Sequence, residues 1–160
     1  MTLSVMHNLH PAASSRLQKT SSRQFSGLQM QTHALLSINP RYAEAIFRRQ
    51  KRYEFRRTIF RRDVRVVVVY TTSPVSMVVG EFDVQRVISD DVASLWKRTQ
   101  SEAGIDCDRF FEYFAGCDIG HAIAIGEVRR YPKPLNLLQT FGLRAPQSFV
   151  RLSVSARISA

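Results

Sequence analysis

The stretch that decides the reading is Arg49-Gln50-Lys51-Arg52-Tyr53-Glu54-Phe55-Arg56. A helical pattern ends here, turns and feeds a strand. Asn39 followed by Pro40 is a helix-start pair, an N-cap side chain with proline in the first turn. Tyr42, Ala45, Ile46 and Arg49 then recur at spacings of three and four, which gives an apolar stripe with a basic exit. From Lys51 to Arg57 the pattern alternates. Tyr53 and Phe55 fall on one face, with Arg52, Glu54 and Arg56 on the other, because successive strand side chains point to opposite sides. Lys51 leaves the turn, and Glu54 and Arg56 leave one strand face, so an ammonium, a carboxylate and a guanidinium can share one small volume. Such a pocket could take a phosphate or a base edge, with Lys51 and Arg56 donating and Glu54 accepting from an amino group. The same residues also read as a solvated ion-pair ladder on an exposed strand.

Working outward, Ala34–Ile38 reads as a short buried strand before the helix, and Val64–Thr71 as a central strand rich in β-branched residues. Met77–Ile88 is a long strand with a bend expected at Gly80. Ser89, Asp90 and Asp91 place acids at the start of a second helix, where the dipole favours them, and Gly104 ends it. Asp106 opens a third helix, Cys107–Ala115, stopped by Gly116. Its Phe110, Phe111 and Phe114 read as core rather than as a base-stacking platform. Ile119–Tyr131 alternates as a strand, Leu135–Phe141 forms a short helical turn, and Gln147–Leu152 is a last strand. Strands dominate, and few helices sit between successive strands, which disfavours a doubly wound parallel sheet. The expected fold is α+β: a small, mostly antiparallel β-barrel with flanking helices.

The 160 residues suit one domain. Residues 1–33 hold six serines, no acid and no sustained period, and are expected to form a disordered tail. An organellar transit peptide, or a natural start at Met30, would account for the same segment. The domain is expected over 34–152, with a frayed tail over 153–160. No apolar run reaches the eighteen or so residues of a membrane span. Cys107 and Cys117 flank one helix, roughly 15 Å of rise apart, too far for a disulfide. Free thiols fit a reducing, cytoplasmic compartment. No cysteine–histidine spacing suits zinc, and no phosphate loop or nucleophile elbow occurs, so no cofactor or metal is expected. His121, the one histidine outside the tail region, reads as a strand-face residue.

The net charge of +10 is unevenly placed. Residues 41–65 hold ten basic groups against Glu44, Glu54 and Asp63, and residues 129–160 hold six and no acid. The segment between them is acidic. If the two basic blocks meet, one face attracts polyanions. Nineteen of the 23 basic residues are arginine, whose planar fork grips phosphate through two bonds.

Lys51, Glu54 and Arg56 stand at the spacing of the GxKxxExR signature of the ASCH (activating signal cointegrator homology) superfamily, with Arg49 where the signature has glycine. The chain also resembles that superfamily in Pro40-Arg41-Tyr42-Ala43, in the strand exit at Val66–Pro74, in Val79-Gly80-Glu81-Phe82 and in Pro146-Gln147-Ser148-Phe149. The last features are similar to a bacterial and archaeal group described as predicted transcriptional regulators. The resemblance implies a PUA-like barrel and an RNA-linked, regulatory role, with RNA or a nucleotide-like ligand in a cleft lined by Lys51, Glu54 and Arg56. Arg52, Arg57, Arg61, Arg62 and Arg65 would then supply the electrostatic approach, and Ser148 and Tyr53 the rim. Duplex DNA is a weaker expectation, since no helix-turn-helix is recognisable.

Some relatives are hydrolases. Amidohydrolases acting on N4-acetylcytidine resemble the chain at Lys51 and Arg56. They carry a threonine nucleophile where Glu54 stands and a second carboxylate that Glu102 would have to supply. For relatives that are ribonucleases, Lys51 and Ser148 would be donor and proton carrier. The catalytic candidates are therefore Lys51, Glu54 and Glu102.

Overall fold

The computed structural model describes residues 32–153 apart from Arg62. The expected tails fall largely outside the described residues. Six strands, β1 (Thr32–Ile38), β2 (Tyr53–Arg56), β3 (Val64–Thr71), β4 (Met77–Asp91), β5 (Ile119–Leu135) and β6 (Phe149–Ser153), are joined by four helices. These are α1 (Pro40–Phe47), α2 (Val92–Thr99), α3 (Cys107–Tyr113) and α4 (Leu137–Phe141), with a 3-10 turn at Gln100–Glu102.

The sheet runs β2-β5-β4-β3-β1-β6. Only β1 and β3 pair in parallel; the other pairs are antiparallel. The class is therefore α+β and mostly antiparallel, but the sheet does not close by hydrogen bonding, so it is a barrel only loosely. A side chain spans the opening instead. Arg56, on edge strand β2, donates to the carbonyl and hydroxyl of Ser148, just before edge strand β6, at 2.7 and 2.8 Å. It also donates to the Ser37 carbonyl on β1 at 3.2 Å.

Alternation in β2 distributes the core. Phe55 packs with Ile88, Leu95, Phe110, Phe114 and Ala122 beneath α2 and α3. Of the expected phenylalanine stripe, Phe110 and Phe114 are core, while Phe111 is 40% exposed. A second cluster gathers Leu36, Ile46, Phe60, Val67, Phe82 and Ile123. The Asn39 carboxamide accepts the Arg41 amide at 3.0 Å, capping α1 as expected.

Several boundaries differ from the sequence reading, four of them near the site or its supporting strands. His33 belongs to β1 and is wholly buried, rather than lying in the tail. The helical stripe stops at Phe47, before Arg49, because Arg49 takes a left-handed φ of 62°. Lys51 and Arg52 precede β2 rather than opening it. Ser89 to Asp91 stay in β4, paired with His121, Gly120 and Ile119, and Asp91 caps α2 from the strand's last position. The two cysteines are free thiols. Among the described residues no helix is long and apolar enough to cross a membrane.

Candidate nucleic-acid site

The turn after α1 aims Lys51 inward. Arg49 holds the turn open by donating from its guanidinium to the Gly126 carbonyl of β5 at 2.6 Å. The next backbone amides fold back, Gln50 and Lys51 both bonding the Ala45 carbonyl. Arg52 is fixed on both sides, its amide bonding the Glu102 carbonyl and its carbonyl accepting the Ile125 amide. Lys51 is thereby pressed against the 102–104 segment. Its Nζ donates to the Ala103 carbonyl at 3.0 Å. Gly104 is obligatory here: φ is +61°, and a Cβ would sit 2.5 Å from the Lys51 Cβ.

Lys51 is 2% exposed, Glu54 6% and Arg56 8%. The ammonium lies 3.9 Å from one Glu54 oxygen, while the Arg56 guanidinium lies 3.6 Å from the other. Rings flank the amine as well, Phe55 at 4.6 Å and Tyr42 at 5.2 Å from centroid to Nζ. A buried charge of this kind is expensive unless fully satisfied. Burial accordingly pushes the Lys51 ammonium below its ordinary value, and the Glu54 charge offsets only part of that.

These groups are not sealed. Lys51, Glu54 and Arg56 line a hollow of about 200 Å³ together with Tyr42, Ile105 and Tyr113. Tyr113 is 37% exposed, and partial desolvation raises its hydroxyl above the usual phenol value, so it is a donor at neutral pH. The sequence put the three charged residues in one volume, and they share it. Ser148 adjoins the site through Arg56, whose fork fixes its hydroxyl.

Other candidates stand further out. Arg52 is 38% exposed along its side chain and faces Glu102 at 4.0 Å. Glu102 does not line the hollow; its carboxylate is more than half exposed. Glu54 therefore has no second carboxylate from that position beside it. Arg57 is exposed but spends its guanidinium on the Tyr113 and Ala115 carbonyls, at 2.5 and 3.3 Å. Arg61 is exposed, and Arg62 lies outside the described residues. Tyr53 packs at the edge of the helix-covered core. His121 bonds the Ser89 hydroxyl through Nδ1 at 2.8 Å, and burial lowers its basicity. Among the described residues no three His, Cys, Asp or Glu side chains gather as metal ligands.

Tyr42, Ile105, Tyr113 and the 103–104 backbone were missed by sequence reasoning. Ile105, Tyr113 and the 103–104 backbone reach the site across long sequence separation, while Tyr42 comes from α1, nine residues before Lys51. Tyr42 and Gly104 each gave a signal, and they were read simply as part of the helix stripe and as the end of a helix.

Residues 36–139 match the family model of the ASCH domain. The chain is 32% identical over 124 residues to an "ASCH domain-containing ribonuclease" of Zymomonas mobilis, covering 74% of this chain and 83% of that protein. The crystal structure of ASCH from Zymomonas mobilis superposes with a TM-score of 0.70 at 28% identity, over 75% of this chain and 87% of that one. Two Ureaplasma parvum proteins match in part: ATP synthase subunit alpha, 32% identical over 119 residues, and large ribosomal subunit protein uL22, 29% over 116. The chain spans only 15% and 37% of their lengths. Signature, family match and superposition agree. The chain belongs to the ASCH domain family.

Proposed function

We propose that this ASCH domain binds single-stranded RNA with one nucleotide in the Lys51 hollow, and cleaves the chain there. The observation that carries the reading is the amine itself. Lys51 is buried, under-paired and next to open space, and a lysine with a lowered pKa can work as a base. A relative covered over 83% of its length carries the name ribonuclease, which favours RNA as substrate.

The step is a phosphoryl transfer. The neutral Lys51 Nζ takes the proton of a ribose 2′-hydroxyl, and the 2′-oxygen forms a bond to the adjacent phosphorus. The bond to the 5′-oxygen breaks, and that oxygen takes a proton from the Tyr113 hydroxyl. The products are a 2′,3′-cyclic phosphate and a 5′-hydroxyl; solvent then restores both protein protons. Arg56 positions Ser148 and Glu54, and Glu54 receives a base amino group. Arg52 and Arg61 attract the backbone.

Two measurements test this. Filter binding of single-stranded RNA is expected to weaken steeply as salt rises, since phosphate contacts release counterions, and duplex DNA is expected to bind less tightly. In a cleavage assay Lys51→Met is expected to lose at least about 100-fold in rate, the usual scale for removing a general base. The wild-type rate should rise with pH along a limb below 10.5, the ordinary lysine value. Binding without cleavage by the wild-type chain would remove the catalytic half and leave an RNA-binding, regulatory module. Salt-indifferent binding would remove both.

A further inference from the structure

A second hollow, of about 590 Å³, opens on the same sheet. Its volume falls in the range of ligand sites. Ile59, Phe60, Val84 and Val87 give it an apolar floor, and Arg65 and Arg86 stand at its rim. Both arginines are exposed, and neither has an acidic partner within salt-bridge distance among the described residues. Arg98 also lines it but is held by Asp90 at 2.8 Å.

The groove has a local cause. The β4–β5 register shifts between Phe82 and Val84 and again between Val84 and Arg86. Bulges of this kind bend a strand and redirect its side chains, here at the positions that form the groove wall.

The groove also adjoins the Lys51 hollow. Arg56, on the hollow's wall, is directly opposite His121 in the β2–β5 ladder, and His121 is opposite Ser89 in the β5–β4 ladder. Residues opposite each other share a face. Ser89, bonded to His121, lines the groove. Two strand spacings, about 10 Å, separate the backbones of Arg56 and Ser89. Along the chain, Arg56 and Phe60 are joined by three residues.

We propose that this groove holds the RNA segment adjoining the nucleotide in the Lys51 hollow, with Arg65 and Arg86 each taking a backbone phosphate above the apolar floor. This inference rests on the RNA reading above. Charge and hydrophobic floor together fit a single strand, whose phosphates face cations while its bases seek cover from water.

The test compares a dinucleotide with a twelve-nucleotide single-stranded RNA, by filter binding on ice with the RNA verified intact on a gel. The wild-type chain is expected to bind the longer RNA at least tenfold more tightly. Arg65→Ala/Arg86→Ala should erase most of that gain and make the dependence of log K on log salt shallower by about 1.4, the value for two single-strand phosphates. Dinucleotide affinity should move less than twofold. Both side chains are exposed, so the fold is expected to tolerate their loss, and circular dichroism verifies it. If the double variant keeps the length gain and slope while Lys51→Met weakens dinucleotide binding, the groove proposal fails and the hollow stands. Equal loss for both lengths, or preferred binding of duplex DNA at the groove, also overturns it. If the wild type binds neither RNA, both readings fall together.

Discussion

Two buried clusters in this domain have similar ingredients and opposite characters. At one, Glu81 is 1% exposed and receives Arg129 at 2.8 Å and the Tyr131 hydroxyl at 2.8 Å, while Arg129 also grips Asp83 at 2.6 Å. At the other, Glu54 meets Lys51 and Arg56 only at 3.9 and 3.6 Å, and the three line open space. The first cluster uses most of its capacity on itself, with Arg129 Nη1 left facing Glu127 at 3.6 Å without a hydrogen bond. In the second, Lys51 and Arg56 donate to the Ala103, Ser37 and Ser148 oxygens, and the Glu54 carboxylate is left without a short partner beside a cavity, which is the condition for recruiting a ligand. Short contacts around the carboxylate mark the structural cluster here, and a carboxylate held at longer range beside a cavity marks the candidate site.

The largest expected effect would break the Glu81 cluster. Glu81→Ala removes the acceptor of both Arg129 and the Tyr131 hydroxyl, and stranding buried partners costs about 3–5 kcal/mol. Urea unfolding measures it. RNA affinity per folded molecule should stay within twofold, because no residue of this cluster lines the Lys51 hollow. A loss below about 1 kcal/mol would show that the Glu81 cluster is not structural, and the contrast would collapse.

Next comes Gly104→Ala, which attacks the functional cluster through its backbone. The left-handed conformation costs a non-glycine residue about 1–2 kcal/mol, before any overlap with Lys51. The methyl must also push Lys51 away from Ala103. Stability should therefore fall by about 2 kcal/mol, and RNA cleavage more than tenfold in the protein that remains folded. Unchanged cleavage would mean that the position of Lys51 does not matter.

How much of this was visible in the sequence depended on range. Asn39-Pro40 marked a helix start because capping is local, and Val64–Thr71 was bounded correctly because a β-branched run between turn residues has one reading. The strand reading at Lys51 and Arg52 failed for a tertiary reason: their amides bond the Ala45 and Glu102 carbonyls away from the sheet, and only the Arg52 carbonyl continues the β2–β5 register, to the Ile125 amide. Spacing brought Lys51, Glu54 and Arg56 together, yet could not decide between a pocket and an exposed ladder. That choice depends on Gly104, Tyr113 and Ser148, which arrive from 50 to nearly 100 residues away. The signature glycine replaced by Arg49 was legible in retrospect, since a left-handed φ is what a conserved-type glycine position supplies and Arg49 adopts it at 62°.

The smallest expected effect separates the clusters by the sign of their response to pH. Burial lowers the folded-state pKa of Lys51 below its ordinary 10.5, so between those two values the unfolded chain binds the extra proton. Stability then rises with pH across that window and levels above 10.5. Tyr131 runs the other way. Burial and the Glu81 carboxylate raise it above its ordinary 10.0, so its contribution is complete below pH 10.0 and is lost as pH climbs through the folded value. Urea unfolding from pH 7 to 11 on the wild type, Lys51→Met and Tyr131→Phe isolates each term by difference. The wild-type-minus-Lys51→Met stability should increase with pH, and the wild-type-minus-Tyr131→Phe stability should decrease above pH 10. A flat Lys51 difference would mean that water or another group already satisfies that amine in the folded protein. The site would then lack the desolvated base that the proposed RNA cleavage requires.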